Sequence, residues 1–142
     1  MEAITKQYLE LFAEHSQELR ERPQLLGHYR EGAYDTFARL GLPRFKSEDY
    51  QRTDLAKLFA GDWKLLLSEG SPYWASHAFP QGIFIGSLSD FVRLYPEVAK
   101  EHYGRIASVE TDALVALNTL FTAEGFVVYV PRGAKIPGHI EL

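Results

Sequence analysis

Cysteine is absent from the 142 residues of this chain. That removes disulfides, thiolate metal sites and cysteine nucleophiles from anything the polypeptide supplies itself. Long apolar runs are missing too: nothing approaches the ~20 consecutive apolar residues that a bilayer span needs. The opening stretch MEAITKQYLELFAEH carries charges throughout, unlike the uninterrupted apolar core of a signal peptide. These two absences argue against a membrane partner and make the cytoplasm the expected location. Neither charge sign forms a block. Fifteen Lys+Arg against 19 Asp+Glu leave a net charge of −4, which gives no electrostatic footprint for nucleic acid.

Catalytic signatures are equally scarce. The histidines at 15, 28, 77, 102 and 139 never share the short spacing of a zinc site. Glu14-His15 and Glu101-His102 are adjacent pairs, and neighbours on a helix point in different directions. Serines 68, 71, 76, 87 and 89 occupy turn-like or capping contexts, none inside G-x-S-x-G. Gly82 and Gly86 bracket Ile-Phe-Ile without the Lys-Ser/Thr of a phosphate-cradling loop, and read as turn punctuation. The expectation is therefore no enzyme, and no catalytic, cofactor-binding or metal-ligating residue. Tyr73, Trp74 and Phe79 offer either core filling or a ligand-stacking patch.

What the chain does have is hydrophobic periodicity. Ile4, Tyr8, Leu11, Phe12 and Leu19 fall at helical spacing over 3–20. Pro23 suits the first position of a second helix, whose stripe runs through Leu26, Tyr29, Ala33, Phe37 and Leu40 to Gly41. The pair reads as a helical hairpin. An ordered connector follows over 42–55, with a helical turn at 54–60, then brief strands and turns over 61–80. A strand at Ile83-Phe84-Ile85 precedes a helical segment capped by Ser87 or Ser89, split by Pro96 and ended at Gly104. Residues 110–122 form a further helix through Leu114, Leu117, Leu120 and Phe121, with Thr111 or Asp112 near its N-cap. Strands are expected at 126–130 and about 134–142. Helices first and short strands afterwards indicate an α+β or helix-plus-solenoid pattern, divided as a helical region with connector over 1–60 and a mixed segment over 61–142.

Three stretches in order carry a family resemblance. AYDTFARLGLPRFKSEDYQRTDL resembles a pattern in which a helix with A-x-x-x-F runs into Gly-Leu-Pro, Lys-x-Glu and Thr-x-Leu. GIFIGSLSDFVRLYPEVAKEHYG resembles its strand-then-helix section, and DALVALNTLFTAEGFVVYVPRGAKIPGHIEL its A-L-N and Y-V-P-x-G passage. The family is the SufB/SufD group of iron–sulfur cluster assembly proteins. Gly41, Leu42, Pro43, Glu48, Thr53 and Leu55 point to the SufD branch, although Tyr50 stands where Trp is usual and Arg52 where an aromatic residue commonly precedes Thr.

The resemblance implies a much longer protein: an N-terminal helical region, a right-handed parallel β-helix and a C-terminal helical region that contacts the ATPase SufC. On that reading this chain is the N-terminal portion, truncated in the first rungs of the β-helix. It would be a non-catalytic scaffold in a SufBCD complex, with SufB and SufC as partners mostly through regions beyond those matched. The Pro131-Arg132-Gly133 and Pro137-Gly138 breaks suit solenoid rungs, with a β-hairpin as the alternative for 126–142. An unfinished edge bearing Val128, Val130, Ile136, Ile140 and Leu142 would favour a homodimer. Two readings from other classes stand beside this one: a small ligand-binding or enzymatic domain with its site in the aromatic 61–85 region, and a stand-alone helical interaction module.

Overall fold

The computed structural model describes residues 2–23, 25–67 and 76–141. Its elements run α1 (Ala3–Arg20), α2 (Leu26–Leu40), α3 (Leu55–Phe59), β1 (His77–Ala78), β2 (Phe84–Ser87), α4 (Leu88–Leu94), α5 (Pro96–His102), α6 (Ala113–Phe121) and β3 (Phe126–Tyr129).

The first core is helical. Tyr8 and Leu9 of α1, Ala33 and Phe37 of α2, and Ala113, Ala116, Leu117 and Leu120 of α6 are buried together. The expected hairpin is thus completed by a third helix from near the other end of the chain. Contact with both α2 and α6 widens the buried face of α1. Leu9 is accordingly buried, whereas Phe12 and Leu11 are only partly covered. Tyr8 also donates its hydroxyl to the Phe59 carbonyl at 3.2 Å, which ties α3 to this layer.

Two details of α2 differ from the sequence reading. Pro23 lies in the turn ahead of the helix, where its carbonyl accepts from the Leu26 N–H at 3.0 Å. Leu40 is exposed, and Leu42 takes the buried place instead. The cause is Gly41, whose φ of 62° turns the chain out of the helix and carries Leu42 back onto the core.

The second core is aromatic and sits under the sheet. Phe84, Phe91 and Ala99 are buried, with Tyr95, Val127 and Tyr129 packed against them. Ring centroids of Phe84–Phe91 and Phe91–Tyr95 are both 5.3 Å apart, and Phe91–Tyr129 5.4 Å, within the range of favourable aromatic pairs. Ser87 caps α4 by accepting from the Asp90 N–H, and Pro96 opens α5. Asp112 caps α6 through the N–H groups of Leu114 and Val115.

The expectation of a parallel β-helix is overturned. The sheet has the order β1-β2-β3, and both neighbouring pairs are antiparallel. Phe84 faces Tyr129 and Ser87 faces Phe126 in one ladder, while His77 faces Ile85 in the other. Chain reversal between β1 and β2 comes from two consecutive left-handed residues, Gln81 (φ 66°) and Gly82 (φ 78°). Gly82 is thus turn punctuation as the sequence indicates, and Gln81 beside it takes a conformation that glutamine seldom adopts. The strand expected at 134–142 is likewise not formed among the described residues: Ala134 N–H closes a turn on the Pro131 carbonyl at 3.0 Å, and no strand follows. β3 therefore ends the sheet, with Val128 and Val130 exposed. No helix among the described residues is long and apolar enough to cross a membrane.

Candidate functional site

The hairpin of α1 and α2 buries one cation. Arg30 falls at i+4 from Leu26 and i−3 from Ala33, on the apolar stripe of α2, and is only 3% exposed. Its Nη2 donates to the carbonyl of Arg22, just past α1, and to that of Thr122, the C-cap of α6, at 2.5 Å. One guanidinium thus holds the C-terminal ends of two helices, where their dipoles favour a positive charge. Nε and Nη1 of Arg30 have no hydrogen-bond partner among the described residues. Burial pulls the guanidinium below its ordinary pKa, partly offset by the neighbouring Tyr103. Burial likewise pushes the Tyr103 phenol up, against the opposing pull of Arg30.

Arg30 lines an open groove of ≈ 560 Å³ along the hairpin, with Phe12, Arg20, Glu31, Tyr34 and Asp35. Charges of both signs beside two aromatic rings make a surface suited to protein contact. A second groove of ≈ 490 Å³ joins the α1–α2 turn to the short helices through Pro23, Leu25, Val92, Arg93, Pro96 and Lys100.

Among the described residues, the sheet end holds the closest approach to a catalytic pair, and its geometry argues against activation. Ser76 donates its hydroxyl to Asp90 Oδ2 at 2.6 Å, and Arg93 Nη2 donates to Oδ1 at 3.0 Å. These bonds, Ser76 first and Arg93 second, hold Asp90 below the usual carboxylate range, so it is a weak base. Ser76 Oγ meanwhile accepts from the Ser87 N–H at 3.1 Å. The arrangement fastens the segment ahead of β1 to the start of α4. It also explains Gly86, which is not turn punctuation but a residue inside β2: a Cβ there would lie 2.4 Å from Ser76 Oγ.

The histidines stay apart. His15 lies on α1 with Nδ1 3.7 Å from Glu18, His77 lies on β1 beside Phe79, and His139 is paired with Glu141 at 3.3 Å. His28 and His102 are on α2 and α5. Among the described residues no group of three potential ligands could hold a metal ion. Ser68, Ser71, Tyr73, Trp74 and Leu142 lie outside the described residues. The residue that sequence reasoning passed over is Arg30. Its signal was an arginine at a position that the stripe through Leu26, Ala33 and Phe37 reserves for burial.

Comparison with known proteins points one way. The family described as "SufBD protein N-terminal region" matches residues 2–73 and 71–142. An iron–sulfur cluster assembly SufBD family protein of Arabidopsis thaliana, ABCI9, is 30% identical over 56 residues, which are 39% of this chain and 12% of that protein. A second from the same plant, the chloroplastic ABCI8, is 29% identical over 56 residues, 39% of this chain and 10% of that protein. The SufBD family protein slr0074 of Synechocystis sp. is 22% identical over 103 residues, 72% of this chain and 20% of that protein. The chain thus spans between a tenth and a fifth of the curated relatives it matches. No solved structure matches. With both halves covered by the N-terminal region of one family, the chain belongs to the SufBD family.

Proposed function

We propose that the chain acts in iron–sulfur cluster assembly as a non-catalytic scaffold, the N-terminal part of a SufD-type subunit working with SufB- and SufC-type partners. The observation that carries this reading is the family match over residues 2–73 and 71–142. Chemistry agrees with it, because a chain with no cysteine offers none of the thiolates that usually hold a cluster. The SufD branch is supported by Gly41-Leu42-Pro43 followed by Glu48, Thr53 and Leu55. In this role the chain binds no cofactor of its own and works through surfaces, of which the hairpin groove around Arg30 is one. Self-association through the β3 edge belongs to the same proposal, supported by the exposed Val128 and Val130.

The test is to mix the purified chain with SufB- and SufC-type subunits and follow the species by size exclusion with light scattering, before and after anaerobic addition of iron and sulfide. Comigration with a partner, and visible cluster absorption only when that partner is present, are expected. A stable cluster on the isolated chain, or no comigration with either subunit, would overturn the scaffold reading. Val128→Lys separates self-association from partner binding, since it should abolish only the former.

A further inference from the structure

We propose that the groove between α1 and α2 is a docking site for an amphipathic helix of a partner subunit, one that carries two cations a helical turn apart on one edge and a carboxylate on the other. The inference rests on the reading of the chain as a scaffold that works through surfaces, and it names what one of those surfaces takes. Its contacts are exposed side chains. The buried guanidinium of Arg30 belongs to the floor and is already held by the carbonyls of Arg22 and Thr122.

Shape points to a helix. Phe12, Ser16 and Arg20 form one row at four-residue spacing along α1, and Gly27, Glu31 and Asp35 form another along α2, both on the walls of the ≈ 560 Å³ groove. Rows at this spacing are the ridges that helices present to one another, so the valley between two of them has the form that a third helix fills. Each row spans about two turns, or ~12 Å.

The walls admit close approach. No atom lies within 4 Å of the place where a Cβ on Gly27 would stand, so packing within this chain does not call for glycine there. A helical glycine costs stability and lets another backbone come near. Ser16 turns its hydroxyl onto the Ala13 carbonyl at 3.0 Å, away from competition for a ligand. Phe12 is fixed between Tyr34 and Phe121, with ring centroids 5.9 and 6.1 Å away, so the apolar end of the groove is formed in advance.

Charge then names the occupant. Other exposed helix faces pair their charges within the chain, Lys6 with Glu10 at 3.4 Å and Lys100 with Glu97 at 3.3 Å. Arg20, Glu31 and Asp35 are exposed and make no ion pair among the described residues. Glu31 and Asp35 stand at i and i+4, where like charges repel. A partner helix with Lys or Arg at the same spacing answers both carboxylates, and an acidic residue on its other edge answers Arg20 beside the α1–α2 turn. Opposite signs on the two ridges fix the register of the partner and disfavour a surface of uniform charge.

The probe is a fluorescently labelled, alanine-rich helical peptide with Lys at i and i+4 on one edge, Leu along its centre line and Glu on the other edge, titrated with the full chain and followed by anisotropy. Saturable binding is expected, about tenfold tighter than that of a charge-inverted twin with Glu at the two Lys positions and Lys at the Glu position. A chain carrying Arg20→Glu, Glu31→Lys and Asp35→Lys should reverse that preference, and its unfolding temperature should stay close to wild type because all three positions are exposed. Gly27→Gln should block both peptides by filling the valley, with the unfolding temperature held or raised, since glutamine is the better helix former. Absence of saturation, equal affinity for the two peptides, a preference that survives the triple variant, or full affinity in Gly27→Gln would each overturn the proposal. Light scattering of the Val128→Lys chain tests the rival occupant: a dimer there that Arg20→Glu dissolves would assign the groove to a second copy and overturn the partner helix. Comigration with SufB- or SufC-type subunits is a separate readout. Peptide binding without comigration would keep the groove and sink the scaffold reading, and comigration without peptide binding would do the reverse.

Discussion

The two cores of this molecule are built by different means. The helical one joins α1 and α2 to α6, elements distant in sequence, through alanines, leucines and a single fully buried phenylalanine. The sheet core draws on β2, α4 and α5, which follow one another directly, and on β3, and its centre is a stack of rings. Small side chains let α2 and α6 approach closely, so each large residue between them is decisive. Overlapping rings share the load, so removing one leaves the others in contact. The difference teaches where a substitution is felt: sharply at one point in the helical layer, diffusely in the aromatic one.

The hardest blow to the helical layer is Phe37→Ala. Phe37 is fully buried, so about 3–5 kcal/mol of stability should be lost. Phe12→Ala, at a partly buried ring, should cost clearly less. Urea denaturation of both variants measures the gap, and equal losses would erase the contrast between centre and rim.

Arg30→Met asks whether the layer depends on its buried cation. The carbonyls of Arg22 and Thr122 would lose their guanidinium donor, at a cost of about 1–3 kcal/mol. An apolar replacement also relieves the desolvated charge, so an unchanged or raised midpoint would show that the clasp confers orientation rather than stability. Hydrogen exchange at the α6 C-terminus distinguishes the two, since a lost clasp should speed exchange there.

In the sheet layer, Tyr129→Leu keeps most of the apolar bulk and removes ring contacts with Phe91 and Tyr95. The expected loss is about 0.5–1.5 kcal/mol. A loss as large as that of Phe37→Ala would contradict the shared-load account.

The smallest effect concerns pH. Asp90 is held below the ordinary carboxylate range by Ser76 and Arg93, so the folded state binds its proton less readily than the unfolded chain does. Its contribution is therefore present above the unfolded pKa and is lost as pH falls through the depressed folded value. Thermal unfolding from neutral to acid pH should show a slightly steeper acid decline in the wild type than in Asp90→Asn. Parallel curves would mean that the partly exposed group is screened by solvent.

Much of the helical structure was legible residue by residue. The stripe through Leu26, Ala33 and Phe37, the Asp112 cap, the split at Pro96 and the turn at Gly41 all follow from local rules of spacing and backbone conformation. The sheet was read less well. Its short strands were located at 83–85 and 126–130, within a residue or two of where they form, but their direction was not. Pairing depends on which way the chain returns, and a turn residue such as Gly82 marks that the chain bends without fixing which strands then pair. The candidate site was hidden for a related reason. Arg30 occupies a stripe position, yet a polar residue on an apolar face does not announce what will meet it.

By itself, then, the sequence determined the helices, several of their ends, the absence of thiol chemistry and the membership of a family, because each depends on residue identity at short range or on ordered motifs. Only the tertiary structure decided that α6 completes the hairpin, that the sheet is antiparallel and that one arginine clasps two helix ends. Each of these is a meeting of residues far apart in the chain, and such meetings are set by the packing of whole elements rather than by local preference.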